Sequence, residues 1–211
     1  MKFPDSIGLY FITDRNLTKK TIMSDVASAL KSGVKVIQYR EKELPTKEMY
    51  HEAKAIKELT SQNNAILIIN DRIDIALAVD ADGVHIGQED MPFDKARQLL
   101  GEEKIIGLTV HNVEEALLGE RVGADYLGVS PIFATQTKLD AGKPSGLELI
   151  RQVKEKAKMP IVAIGGINYD NLDSVLKAGA PNVAVISAIV TKDDVEEECR
   201  KFFKKIRDFG R

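Results

Sequence analysis

The 211-residue sequence holds one cysteine, no tryptophan and three histidines. A single Cys199 excludes an internal disulfide, and its setting in "EEECRK" does not supply the electropositive surroundings of a reactive thiol. We read it as structural and expect a reducing compartment. His51, His85 and His111 lack the spacing of a zinc site. No apolar run reaches the ~18 residues of a membrane span, and "MKFPDSIGLY" lacks the apolar centre of a signal peptide, so a cytoplasmic protein with no membrane partner is expected. Neither sign of charge is in excess: 30 Lys and Arg against 32 Asp and Glu leave −2, which removes the broad basic field that nucleic acid would need. Linkers, charge blocks and low-complexity segments are also missing, which leaves one domain over residues 1–211, with a homo-oligomer still compatible.

What is present is regular. Short β-branched runs occur at 9–13, 34–40, 65–70, 83–87, 104–110, 126–130, 161–166 and 182–187. Between them lie segments such as "TKEMYHEAKAIKELTSQ" and "SGLELIRQVKEKA", where apolar residues return every three or four positions as on one face of a helix. Strict alternation implies parallel strands with helical crossovers, and strands apolar on both faces need cover on both sides. Eight of them predict an α/β fold closed into a (β/α)8 TIM barrel. Gly33, Gly123 and Gly179, just ahead of strands two, six and eight, are expected to end helices.

In such a barrel the C-terminal ends of the strands carry the chemistry, and that edge collects the unusual residues. After strand two comes "QYREK", where Gln38, Arg40 and Lys42 are spaced by two and share a side of an extended chain. They form either an anion clamp or a solvated strand end partnered by Glu41 and Glu43. Strand three ends in Asn70 and Asp71, and strand four in "HIGQED", which brings Asp90 beside them. Two carboxylates opposite two cations suit a hard divalent ion such as Mg2+ bridging to a phosphate; alternatively Asp90 caps a helix starting near Met91–Pro92. Thr109 closes strand five, followed by His111 as a capping or orienting residue, while His85 is expected to be structural within strand four. "SPIFATQTK" gathers Thr135, Thr137 and Lys138, and Gly165, Gly166, Ile186 and Ser187 after strands seven and eight offer backbone N–H groups to an anion. A Gly-Gly pair serves equally as an ordinary turn.

The tags "QYREK", "NDR", "GQED", "GLTVHN", "IFATQTK", "AIGGI" and "ISAI", in this order, resemble the thiamine-phosphate synthase family over nearly the whole chain. The resemblance implies a transferase that joins 4-amino-5-hydroxymethyl-2-methylpyrimidine diphosphate to a thiazole phosphate, releasing pyrophosphate. It assigns the pyrimidine diphosphate to Gln38, Tyr39, Arg40, Glu41, Lys42, Asn70, Thr109 and Lys138, with Arg40, Lys42 and Lys138 aiding departure of the diphosphate. It gives Mg2+ to Asp71 and Asp90, and the thiazole phosphate to Thr135, Gln136, Thr137, Gly166, Ile186 and Ser187. Two positions depart from the family pattern: Thr109 where serine is frequent, and Ala134 where proline is frequent. A thiazole tautomerase relative shares the barrel without needing a diphosphate site, and the retained Arg40, Lys42, Asp71, Asp90 and Lys138 favour the synthase. A non-catalytic barrel that binds a phosphorylated metabolite could dispense with Lys42 and both aspartates. A sugar-phosphate isomerase would need a base at a strand end, for which Lys143 and Glu148 are poorly placed.

Overall fold

The computed structural model describes residues 2–137 and 142–209. Eight strands, β1 (Leu9–Ile12), β2 (Val36–Tyr39), β3 (Ile66–Asn70), β4 (Gly83–Ile86), β5 (Ile105–Val110), β6 (Tyr126–Val129), β7 (Ile161–Ala163) and β8 (Asn182–Val185), pair in parallel in sequence order. β8 returns to β1 through Leu9 beside Val183, which closes the barrel. The helices are α1 (Ile22–Lys31), α2 (Thr46–Gln62), α3 (Ile73–Ala78), α4 (Phe93–Leu100), α5 (Val113–Val122), α6 (Gly146–Lys156), α7 (Leu172–Lys177), α8 (Ser187–Val190) and α9 (Val195–Phe209). The expected (β/α)8 barrel is therefore the fold, with strands a residue or more shorter at their ends than the apolar runs. Among the described residues no helix is long and apolar enough to cross a membrane.

Side chains alternate across each strand, and both faces are buried. Leu9, Phe11, Ile37, Leu67, Ile69, Val84, Ile106, Leu127 and Val183 face outward into the layer beneath the helices. Tyr10, Ile12, Val36, Ile68, Ile105, Tyr126, Val162 and Ala184 face inward, with Phe3 and Ile7 packed against them. Asn182, fully buried, ties down the entering chain by accepting from the backbone of Ile7 and donating to the carbonyls of Asp5 and Ile161. Gly123 occupies the left-handed C-cap of α5, whereas Gly33 and Gly179 sit one residue beyond the caps Ser32 and Ala178 of α1 and α7. Cys199 is buried between α9 and α1, and burial pushes its thiol up to about 12, in keeping with an inert packing role.

Candidate active site

At the C-terminal ends of the strands the barrel opens into a cavity of about 540 Å³. Of the residues singled out from the sequence, Gln38, Arg40, Lys42, Asn70, Asp71, Asp90, Thr109, Thr135, Thr137, Gly166, Ile186 and Ser187 line it. Lys138 lies outside the described residues. Tyr39 and Glu41 do not reach the cavity with their side chains, because strand alternation turns them to the opposite face from Gln38 and Arg40. There Tyr39 donates to Glu52 at 2.7 Å, and Arg15 bridges Glu41 at 2.6 Å and Glu52 at 2.5 Å. Burial pushes the Glu41 carboxyl up, but the backbone N–H groups of Glu43 and Leu44 and the Arg15 guanidinium outweigh it and hold the group below its ordinary value. This cluster braces β2 against α2 from outside the barrel. Gln136 is exposed and likewise away from the cavity wall.

The clamp at β2 has partners other than Glu41 and Glu43. Arg40 pairs with Asp14 at 3.1 Å, and its backbone N–H donates to Thr13 Oγ1, so the loop after β1 fixes the guanidinium at the rim. Lys42 Nζ reaches across to Asp71 Oδ2 at 2.5 Å. Asp71 has a left-handed backbone, φ 59°, a conformation that Asp and Asn tolerate better than other side-chain-bearing residues, and its N–H donates to the His85 carbonyl. Burial pushes the Asp71 carboxyl up, Lys42 pulls it down, and Asp90, within hydrogen-bonding reach, pushes it up again; the net direction is upward. Asp90 does not cap a helix: α4 starts at Phe93 behind Pro92, and Asp90 Oδ2 instead accepts from the Gly87 N–H at 2.7 Å. Two close carboxylates balanced by one lysine form an acid pair short of positive charge, a donor set that fits one hard divalent cation. Among the described residues no group of three or more His, Cys, Asp or Glu is placed to share a metal.

Across the cavity the loops after β6 and β7 are stitched together. Ile132 and Phe133 donate their backbone N–H groups to the carbonyls of Ile164 and Gly165, and Asn171 Nδ2 donates to the Gly166 carbonyl at 2.9 Å. Gly166 has φ +63°, and a Cβ there would stand 2.4 Å from the Ala134 carbonyl oxygen. Glycine is thus required for two backbones to meet beside Thr135 and Thr137. Ile186 and Ser187, at the start of α8, complete this wall of hydroxyls and backbone amides.

His85 lies within β4 as expected, and its side chain lines the cavity, with Nδ1 3.0 Å from the Tyr126 hydroxyl and Nε2 2.8 Å from Thr109 Oγ1. Its phase opposite Val84 and Ile86 was the available signal. Gln88, also unpredicted, lines the cavity and donates to the Thr109 carbonyl at 2.5 Å. His111, expected to cap or orient, has its Nδ1 2.7 Å from the Ser130 carbonyl, which can only accept.

The family model for thiamine monophosphate synthase matches residues 9–189. The chain belongs to the thiamine monophosphate synthase family. A thiamine-phosphate synthase from Methanosarcina barkeri is 54% identical over 201 residues, covering 95% of this chain and 91% of that protein. One from Archaeoglobus fulgidus is 48% identical over 208 residues, covering 99% and 97%. The solved structure of thiamine phosphate pyrophosphorylase from Pyrococcus furiosus superposes with a TM-score of 0.90 at 44% identity, covering 97% of this chain and 98% of that one. The family's members are transferases.

Proposed function

We propose that this chain joins 4-amino-5-hydroxymethyl-2-methylpyrimidine diphosphate to 4-methyl-5-(2-phosphoethyl)thiazole, or to its carboxylated form with loss of the carboxyl group as carbon dioxide, giving thiamine phosphate and pyrophosphate. The observation that supports the reading is one cavity lined by Arg40 and Lys42 beside an acid pair on one side, and by Thr135, Thr137, Gly166 and Ser187 on the other. Arg40 and Lys42 face the diphosphate, and the resemblance adds Lys138 to them. The thiazole phosphate takes the opposite wall, which fixes the approach of the ring nitrogen. That nitrogen forms a bond to the pyrimidine methylene carbon, and the carbon–oxygen bond to the diphosphate breaks with its electron pair leaving on oxygen. The ring amino group stabilises the cation developing at the methylene, so the bond can break ahead of attack. The protein supplies fixed positive charge where negative charge grows, and no nucleophile of its own is needed. Asp71 and Asp90 would hold Mg2+, which when bound neutralises diphosphate charge and otherwise keeps mostly water and phosphate ligands.

The test is to incubate the chain with both phosphorylated heterocycles and Mg2+ and to quantify thiamine phosphate and pyrophosphate. Equimolar appearance of both is expected. Isomerisation of the thiazole phosphate alone, with no pyrophosphate, would replace this reading by the tautomerase one.

A further inference from the structure

At the floor of the cavity five side chains from five strands form one chain of hydrogen bonds across the barrel. Gln38 Nε2 donates to the Tyr10 hydroxyl at 3.0 Å, and the Tyr10 and Tyr126 hydroxyls are 2.8 Å apart. His85 Nδ1 then lies 3.0 Å from the Tyr126 hydroxyl, and His85 Nε2 lies 2.8 Å from Thr109 Oγ1. Space for the middle rings is left by glycines: a Cβ at Gly107 would stand 2.1 Å from the Tyr126 ring, and one at Gly128 2.9 Å from His85. Tyr126 is held between Phe3, stacked at 4.1 Å, and His85, stacked at 5.5 Å, which fixes its ring and the position of its hydroxyl oxygen.

One direction gives every hydrogen of the chain an acceptor within it. The Gln38 amide nitrogen can only donate, so Tyr10 accepts there, and Tyr126 is the acceptor within reach of the Tyr10 hydrogen. In that direction Tyr126 sends its single hydrogen to His85 Nδ1. A nitrogen that accepts carries no hydrogen, so the imidazole carries its hydrogen on Nε2 and donates to Thr109 Oγ1. The Thr109 hydroxyl hydrogen is left for an acceptor in the cavity. Burial pushes both phenols well above the ordinary phenol range, so both keep the hydrogen the relay requires.

We propose that Tyr126 and His85 are positioning residues that make Thr109 a hydrogen-bond donor to the bound substrate, so that this point of the floor selects a group with a free lone pair and disfavours one that can only donate, such as an N–H. The proposal rests on the placing of the pyrimidine diphosphate beside Thr109 given above. The acceptor is a ring nitrogen or a diphosphate oxygen.

With three histidines in the chain, protein labelled with 15N-histidine resolves each imidazole by long-range proton–nitrogen correlation, and the signal lost in His85→Gln assigns His85. The expected spectrum at neutral pH shows a bare Nδ1 and a protonated Nε2. Hydrogen on Nδ1, as the other tautomer or as an imidazolium, would overturn the direction. This measurement needs neither substrate nor a foldable Tyr126 variant, so failure of the chain and failure of the proposed function are told apart. Tyr126→Phe is expected to weaken pyrimidine diphosphate use about five- to tenfold, as for one neutral hydrogen bond, and to cost nothing further in a Thr109→Val background. Equal losses in both backgrounds would show a merely structural role. Titrating Thr109→Val with inorganic pyrophosphate and, separately, with the unphosphorylated hydroxymethylpyrimidine identifies the acceptor by which probe weakens. Unchanged affinity for both would refute the donor role.

Discussion

Replacing Asp71 by asparagine separates a metal-binding carboxylate from one that braces the barrel rim. Asparagine keeps the local structure, since it too accepts φ 59° at low cost, and the backbone bond from residue 71 to the His85 carbonyl is untouched. The charge is what changes. In the Lys42–Asp71 pair the lysine side chain is 49% exposed, so solvent screening limits its contribution to about 0–1 kcal/mol. Against that loss stands relief from Asp90 and from burying a charge, the influences that push the Asp71 carboxyl up. The net change in stability should stay within about 1 kcal/mol, or about 2–4 °C in Tm for a chain of this length. Turnover should fall far more, because one preorganised charge contact to a departing anion is worth about 2.7–4 kcal/mol, which is 10²–10³-fold. Asp90→Asn, whose amide oxygen can still accept from Gly87, should then add little, because residues serving one ion are grossly non-additive. The sign with pH is also set. A carboxyl raised in the folded state binds its proton more tightly folded than unfolded, so the wild type should gain stability relative to Asp71→Asn as pH falls through that raised pKa. The assay is a double-mutant cycle of turnover over a range of Mg2+ concentrations, with melts in chelator. Additive losses indifferent to Mg2+, or unfolding on the Asp71 substitution alone, would refute the metal assignment.

Three further tests probe other parts of the molecule. Lys42→Ala should lower kcat more than it raises KM for the diphosphate, and a pure KM effect would show that the lysine binds ground and transition states equally. Thr135→Val with Thr137→Val should weaken use of the thiazole phosphate while sparing the pyrimidine diphosphate, with the Thr→Ser pair restoring it; equal loss for both substrates in separate titrations would undo the division of the walls. Gly166→Ala should destabilise the protein by more than Gly33→Ala, because both have positive φ but only residue 166 drives its Cβ against the Ala134 carbonyl. Chemical melts that rank the two variants the other way would contradict the close approach of the two loops.

How far the sequence could be read depended on whether the signal was local. The strands were legible because β-branched runs such as "ILIIN" are punctuated by polar strand ends, and "QYREK" gave the phase of Gln38, Arg40 and Lys42 because alternation is a property of one strand. The same alternation argues against side-chain contacts from Tyr39 and Glu41, which the family resemblance had assigned as one block with their neighbours. What could not be read were partners fixed by register between distant strands. Arg40 meets Asp14 from β1's loop, and Lys42 meets Asp71 across β2 and β3. The inward pair Tyr10 and Tyr126 was hidden for another reason: in a strand apolar on both faces, as in "LYFI", hydropathy does not distinguish inside from outside. Asp90 kept its place beside Asp71 but not its alternative role, because Pro92 and Phe93 start the helix too late for it to cap.

The central claim, that one cavity holds the diphosphate and the thiazole phosphate on opposite walls, is tested most directly by a crystal structure of the chain with Mg2+, thiamine phosphate and pyrophosphate. The account predicts pyrophosphate against Arg40 and Lys42 with the metal on Asp71 and Asp90, and the phosphate of the product against Thr135, Thr137, Gly166 and Ser187. Pyrophosphate on the glycine wall, or either anion outside the barrel mouth, would contradict it.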